Sequence, residues 1–174
     1  MKGNEKIILM LNDMLSDELT AVSQYMVHAQ MCANWGYKSL SDKIEKRAID
    51  EMKHAEKHID RILFLEGMPI VSALKKMSIG QDVLVQLNND HAAEEGAIKG
   101  YNASIKLCTD LLDNGTRELL EDILVDEEAH IDWLEAQLDQ IKQMGIQNYL
   151  VEQIYKYYCN YHSKEYQPAH YYSG

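Results

Sequence analysis

Proline is nearly absent from this chain. Pro69 is the sole proline before Pro168. The proline ring removes a backbone donor and breaks a helix interior, so its absence leaves long helices open. Glycine and turn residues supply the punctuation instead: Gly36, Gly67-Met68-Pro69, Gly80, Asn114-Gly115 and Gly145. The intervals predict helices over about 5–34, 38–65, 82–112 and 116–143, with a short fifth near 147–157. Gly96 and Gly100 weaken the third only slightly. No stretch alternates with β-branched residues, so no sheet is expected and the chain reads as all-α.

Each long interval carries an apolar seam with steps of three or four residues. The first runs Leu11, Leu15, Glu18, Val22, Tyr25, Ala29, Cys32, and the second Ile44, Ala48, Glu51, Ala55, His58, Ile62, Leu65. The third runs Leu84, Leu87, His91, Glu94, Ile98, Tyr101, Ile105, Cys108, Leu112, and the fourth Leu120, Ile123, Glu127, His130, Leu134, Leu138, Ile141. Such seams form the core of a four-helix bundle. Short connections near 35–37 and 113–115 make the first and second helices antiparallel, and likewise the third and fourth. The connection over 66–81 reaches roughly 50 Å when extended, against about 42 Å for a 28-residue helix. It can run the length of the bundle and make the second and third helices parallel.

One residue type is out of place in these seams. Each holds a glutamate: Glu18, Glu51, Glu94 and Glu127. A buried carboxylate is costly unless a cation accompanies it. Two seams add a histidine three residues on, His54 and His130, on the same helix face. A shift of 76 residues carries Glu18 to Glu94, Tyr25 to Tyr101, Asp50 to Asp126, Glu51 to Glu127 and His54 to His130. The chain therefore contains two copies of one helix pair, and the repeated positions are metal-ligand types. Four carboxylates match two divalent ions. Carboxylates with one imidazole per ion suit iron or manganese better than copper or structural zinc. Glu51 and Glu127 can bridge, Glu18 and Glu94 can bind terminally, and His54 and His130 complete the sets. Asp50 and Asp126 are candidates to hold the opposite histidine's other ring nitrogen. The competing view puts these glutamates on a solvated seam edge paired with Lys or Arg. It requires the same irregularity on four seams at matching offsets.

Charge narrows the partners. Lys plus Arg number 17 against 28 Asp plus Glu, a net −11 with histidine neutral. Such a chain favours cations over nucleic acid or anionic membrane. No run of about 18 apolar residues could span a bilayer. The opening Met1-Lys2-Gly3-Asn4-Glu5-Lys6 lacks a signal-peptide core, so a cytoplasmic location is expected. Cys32, Cys108 and Cys159 are too far apart for a disulfide framework or a zinc knuckle.

Longer segments carry a family resemblance. The opening Met1-Lys2-Gly3, Ile49-Asp50-Glu51-Met52-Lys53-His54-Ala55, Arg61-Ile62-Leu63-Phe64-Leu65-Glu66-Gly67, Asp126-Glu127-Glu128-Ala129-His130-Ile131-Asp132-Trp133-Leu134-Glu135 and Gln147-Asn148-Tyr149-Leu150 resemble bacterioferritin over about residues 1–155. The resemblance implies a ferritin-like four-helix bundle with one long crossover and a short fifth helix. It implies a ferroxidase that oxidises Fe²⁺ with O₂ or H₂O₂ at an intrasubunit di-iron centre. The six ligands would be Glu18, Glu51, His54, Glu94, Glu127 and His130. Ferric mineral would be stored inside a homo-oligomeric shell of 24 subunits built from two-fold dimers. Met52 matches the family's axial ligand for a haem b or related iron porphyrin shared between two subunits, and an iron–sulfur ferredoxin is the implied electron donor for iron release. Met52 lies one residue from Glu51, about 100° off the core seam. It joins Ile49, Ile59 and Leu63 on a second apolar face of its helix, with Leu19 and Met26 beside the first helix's seam. A homodimer is the simplest cover for such a face.

Two departures stand out. Some members carry a histidine four residues before Asp50, where this chain has Lys46, which argues against an auxiliary inner-surface iron site. The chain also continues past the expected di-iron domain, 1–157, into a Tyr/His-rich extension, 158–174, that includes Cys159, His162 and His170. A partly ordered tail is the plainer expectation there, and a metal or electron-relay role the sharper one. Tyr25 and Tyr101 face the seam as candidates to hydrogen-bond ligands, to pass an electron, or simply to pack with a satisfied hydroxyl. Trp35 and Trp133 read as structural. His28, His58 and His91 lack the paired carboxylates of His54 and His130. Rival di-iron or di-manganese bundles include peroxidases, manganese catalases and hydroxylases. No Cys-x-x-Cys pair follows the bundle, and a non-catalytic shell protein would lack one of the six ligands, all of which are present.

Overall fold

Each long helix starts and stops on local chemistry. The computed structural model describes residues 1–154, and places helices α1 (Glu5–Asn34), α2 (Lys38–Phe64), α3 (Val83–Asp110), α4 (Asn114–Met144) and α5 (Ile146–Gln153). Asn4, Asp82 and Asp113 cap the N-termini of α1, α3 and α4 by accepting the backbone N–H of Lys6, Val85 and Thr116. At the end of α1, Gly36 adopts φ +86°, and the N–H groups of Gly36 and Tyr37 close back on the carbonyls of Ala33 and Cys32. The same closure ends α2 at Glu66 (φ 61°) and α3 at Leu112 (φ 60°), without a glycine.

The expected break at Asn114-Gly115 falls inside the first turn of α4 instead. Asp113 sets the boundary by capping. Gly115 serves packing there, since a Cβ at that position would lie 2.9 Å from Arg61 Nη2. α5 ends at Gln153, short of the expected 157, and the Tyr/His-rich extension lies outside the described residues.

The bundle has the expected topology. α1 packs along α2, α3 along α4, and α1 against α3. The crossover between α2 and α3 is strapped to α1 by a ladder of polar side chains four residues apart. Asn12 accepts the Ile70 N–H at 2.7 Å, Ser16 donates to the Ala73 carbonyl at 2.8 Å, and Thr20 accepts the Lys75 N–H at 2.8 Å. Gln24 accepts the Ser78 N–H at 2.8 Å and His28 Nε2 the Gly80 N–H at 3.0 Å. The crossover therefore runs parallel to α1, delivers the chain to the far end, and makes α2 and α3 parallel. Gly80 ends the strap where a Cβ would meet Gln86 N at 2.4 Å, so no side chain fits there.

The core is divided in two. One layer gathers Ile7, Leu11, Leu15, Ile62, Leu120 and Ile123, the other Ala29, Leu40, Ile44, Leu87, Leu134 and Ile141. Burying each leucine or isoleucine contributes about 1.5–3 kcal/mol. Cys32 and Cys108 are buried free thiols, pushed up to about 12 and about 11 chiefly by burial, as expected of small apolar residues. Among the described residues no helix is long and apolar enough to cross a membrane.

Candidate metal centre

Between the two apolar layers the four seam glutamates converge. Glu18, Glu51, Glu94 and Glu127 are each at most 4% exposed. They form two groups able to hold a metal ion: Glu18, Glu51, His54 and Glu127, and Glu51, Glu94, Glu127 and His130, with ligand atoms within 4.8 Å of one another in each. Glu51 and Glu127 belong to both. All six residues singled out from spacing thus meet in one cage, two from α2, two from α4 and one each from α1 and α3.

Both histidines turn Nδ1 toward the carboxylates. His54 Nδ1 lies 2.9 Å from Glu127 Oε1 and 3.1 Å from Glu51 Oε2. His130 Nδ1 lies 3.1 Å from Glu51 Oε1. Yet Glu51 Oε1, Glu127 Oε1 and His130 Nδ1 are buried with no hydrogen-bond partner. Their distances are short, but their angles are not those of hydrogen bonds. Three unsatisfied donor atoms in a carboxylate–imidazole cage fit a pair of divalent cations.

The electrostatics show the same strain. Burial pushes Glu94 well above the usual carboxylate range, with Glu127 and Glu51 adding to it and Arg47 opposing. Burial also lifts Glu51. Burial would lift Glu127 and Glu18 too, but His130 and His54 outweigh it for Glu127, and His54 and His58 for Glu18, leaving both below the usual range. His54 is lowered by burial but raised more by Glu127, Glu18 and Glu51, to about 12. Burial thus opposes the charged form of Glu51 and Glu94, while the histidines favour the charged form of Glu18 and Glu127.

The surroundings repeat the same pseudo-symmetry. Tyr25 donates its hydroxyl to Glu94 Oε1 at 2.5 Å, and its counterpart Tyr101 donates to Glu18 Oε1. Asp126 Oδ2 lies 3.2 Å from His54 Nε2, as expected, whereas Asp50 pairs with Lys53 at 2.8 Å. His58 stacks on Tyr101, its Nε2 2.9 Å from that hydroxyl; His28 binds Asp90 and the crossover; His91 lies 3.5 Å from Glu135. Trp133 packs on Arg47 and Trp35 on Tyr37, both structural contacts. A cavity of about 440 Å³ between α1 and α3 reaches Glu18, Tyr25, Glu51, Glu94 and Glu127, with Lys75 and Lys76 of the crossover on its lining.

Arg47 was not among the sequence candidates. It is buried, its Nη1 donates to Glu94 Oε1 at 2.6 Å, and its Nη2 donates to the His130 carbonyl at 3.0 Å. A lone arginine reads as surface, and its partner is 47 residues away. Lys46 lines a small pocket with Arg47, Asp50 and His130.

Met52 is 46% exposed on the outside of α2. Ile49, Leu63 and Met26 are exposed as well, whereas Ile59 and Leu19 pack partly into the core. The second apolar face is therefore narrower than its periodicity suggests.

A bundle of four helices with one long crossover, closed around paired carboxylate–histidine groups, defines the ferritin-like class. The family model described as a ferritin-like domain matches residues 8–144. A bacterioferritin of Brucella melitensis biotype 1 is 42% identical over 149 residues, 86% of this chain and 92% of that one. One of Mycolicibacterium paratuberculosis is 39% identical over 86% of this chain and 94% of its own. Bacterioferritin BfrA of Mycobacterium tuberculosis is 36% identical over 91% of this chain and 96% of its own. The chain belongs to the bacterioferritin family.

Proposed function

We propose that this chain is an iron-storage subunit that oxidises Fe²⁺ to Fe³⁺ at an intrasubunit di-iron centre. One observation carries the reading: two buried ligand groups share Glu51 and Glu127. Those two bridge a pair of iron ions; Glu18 and His54 complete one position, Glu94 and His130 the other. Iron is the substrate. Each Fe²⁺ gives up one electron, so a pair reduces O₂ to H₂O₂ with two protons, or H₂O₂ to two waters with two protons. Tyr25 and Tyr101 orient the terminal carboxylates through their hydroxyls. The cavity between α1 and α3 offers Fe²⁺ a way in, while the apolar layers above and below keep bulk water out.

Ferric product is stored as mineral inside a shell of 24 copies built from two-fold dimers. Relatives named bacterioferritin support storage as the outcome. Met52, an exposed thioether beside exposed Ile49 and Leu63, fits half of a site for haem b or a related porphyrin shared by two copies. Such a haem supplies one-electron chemistry suited to releasing stored iron, with a cytoplasmic iron–sulfur ferredoxin as donor.

The test adds Fe²⁺ to iron-free protein in air and follows ferric absorbance and iron retained per assembly. Oxidation with retention is the expected result. Oxidation without retention supports a peroxidase instead, and neither supports a structural shell protein.

A further inference from the structure

The two halves of the cage differ in their neighbours: His58 Nε2 lies 3.8 Å from Glu18 Oε1 where the other half has Leu134, and Glu94 carries a guanidinium. The 76-residue shift that relates their ligands carries Arg47 to Ile123. Arg47 is 7% exposed, sits on Glu94 Oε1 at 2.6 Å, and is held over the rings of Tyr25 and Trp133 at 5.7 and 5.6 Å. Ile123 is uncharged and fully buried in an apolar layer. Among the described residues no guanidinium touches Glu18.

We propose that Arg47 makes the two metal positions differ in affinity, so that the first divalent cation takes the Glu18–His54 side and the Glu94–His130 side fills second and more weakly. The inference rests on the di-iron reading above. Two effects act together. Glu94 Oε1 already receives the Tyr25 hydroxyl and the Arg47 guanidinium, so an ion on that side must compete for it or use Oε2 alone. The guanidinium also changes the charge count. Four ionised carboxylates and Arg47 leave three negative charges; one dication reduces this to one, and a second overshoots to a net positive cage. With an uncharged residue at 47, two dications would neutralise the four carboxylates. Inside a bundle, where charges are weakly screened, that excess falls on the second ion.

The experiment titrates the iron-free, assembled full chain with Zn²⁺, a redox-silent probe, by competition calorimetry. The expected result is two sites per chain separated by at least about tenfold. Anomalous diffraction from crystals given one equivalent of Zn²⁺ should show the ion beside Glu18 and His54. Arg47→Ile should narrow the gap, and Arg47→Lys should keep more of it. The crystal measurement uses the unaltered chain and so decides the matter even if Arg47→Ile does not fold. Equal affinities in the unaltered chain, a first ion beside Glu94 and His130, or an unchanged gap in folded Arg47→Ile would overturn the inference while leaving the di-iron reading intact. Failure to take up any Zn²⁺ would refute the di-iron reading itself, and this inference with it.

Discussion

Thr20→Val isolates one rung of the ladder between α1 and the crossover. The Thr20 side chain is 9% exposed; its hydroxyl donates to the Ser16 carbonyl at 2.6 Å and accepts the Lys75 N–H at 2.8 Å. Valine keeps the shape and removes the acceptor. The Ser16 carbonyl receives the Ser16–Thr20 helical bond in any case, so the main loss is at the Lys75 amide. A partly buried N–H left unpaired costs about 1–2 kcal/mol net once some water is admitted. The opening free energy of the middle of the crossover should fall by that amount, and amide exchange at Lys75 should quicken about 5- to 30-fold. Ile70 and Gly80, held by Asn12 and His28, should change much less. Native-state hydrogen exchange on the assembled protein reads this directly. Unchanged exchange at Lys75 would refute the ladder as the device that holds the crossover. Equal acceleration at every amide would show a global effect instead.

Other consequences follow from single contacts. Burial raises Asp113, but the Thr116 amide and hydroxyl and the Arg61 guanidinium outweigh it and hold it below the usual carboxylate range. Its stabilising contribution is therefore present above its unfolded pKa and is lost as pH falls through the lower folded value. Asp113→Asn should destabilise by about 1 kcal/mol at neutral pH, with the difference vanishing in acid, measured by denaturation across pH. Leu112→Gly should stabilise the α3–α4 connection by about 0.5–1 kcal/mol, because an 82% exposed leucine holds a left-handed φ there; denaturant unfolding that shows a loss would count against strain at this residue. Met52→Leu should abolish the axial-ligand haem spectrum on reconstitution with iron porphyrin while Fe²⁺ oxidation continues; an unaltered spectrum would refute the ligand assignment.

The six cage residues were legible because metal binding restricts residue type at fixed seam positions, and duplication wrote the same restriction twice. The helix spans followed from proline, glycine and apolar spacing. The ends of α2 and α3 fall within two residues of expectation, but their manner of closure was not legible: Glu66 and Leu112 adopt left-handed backbone through hydrogen-bond closure, and neither residue type signals it. Asn12, Ser16, Thr20, Gln24 and His28 recur every four residues, a signal present in the sequence. A polar stripe on a helix reads first as a solvated face, and only the folded crossover shows what it binds. Arg47 has no local pattern at all. Its role is set by Glu94, Tyr25 and Trp133 arriving from three other helices.

The central claim is a cage built for two metal ions inside one chain. Crystals of iron-free protein soaked in Fe²⁺ without oxygen, and measured at the iron absorption edge, test it most directly. The account predicts two anomalous peaks in each subunit, both touching Glu51 and Glu127, one beside His54 and the other beside His130. A cage with no iron, its carboxylates still resting on histidine and arginine, would contradict it.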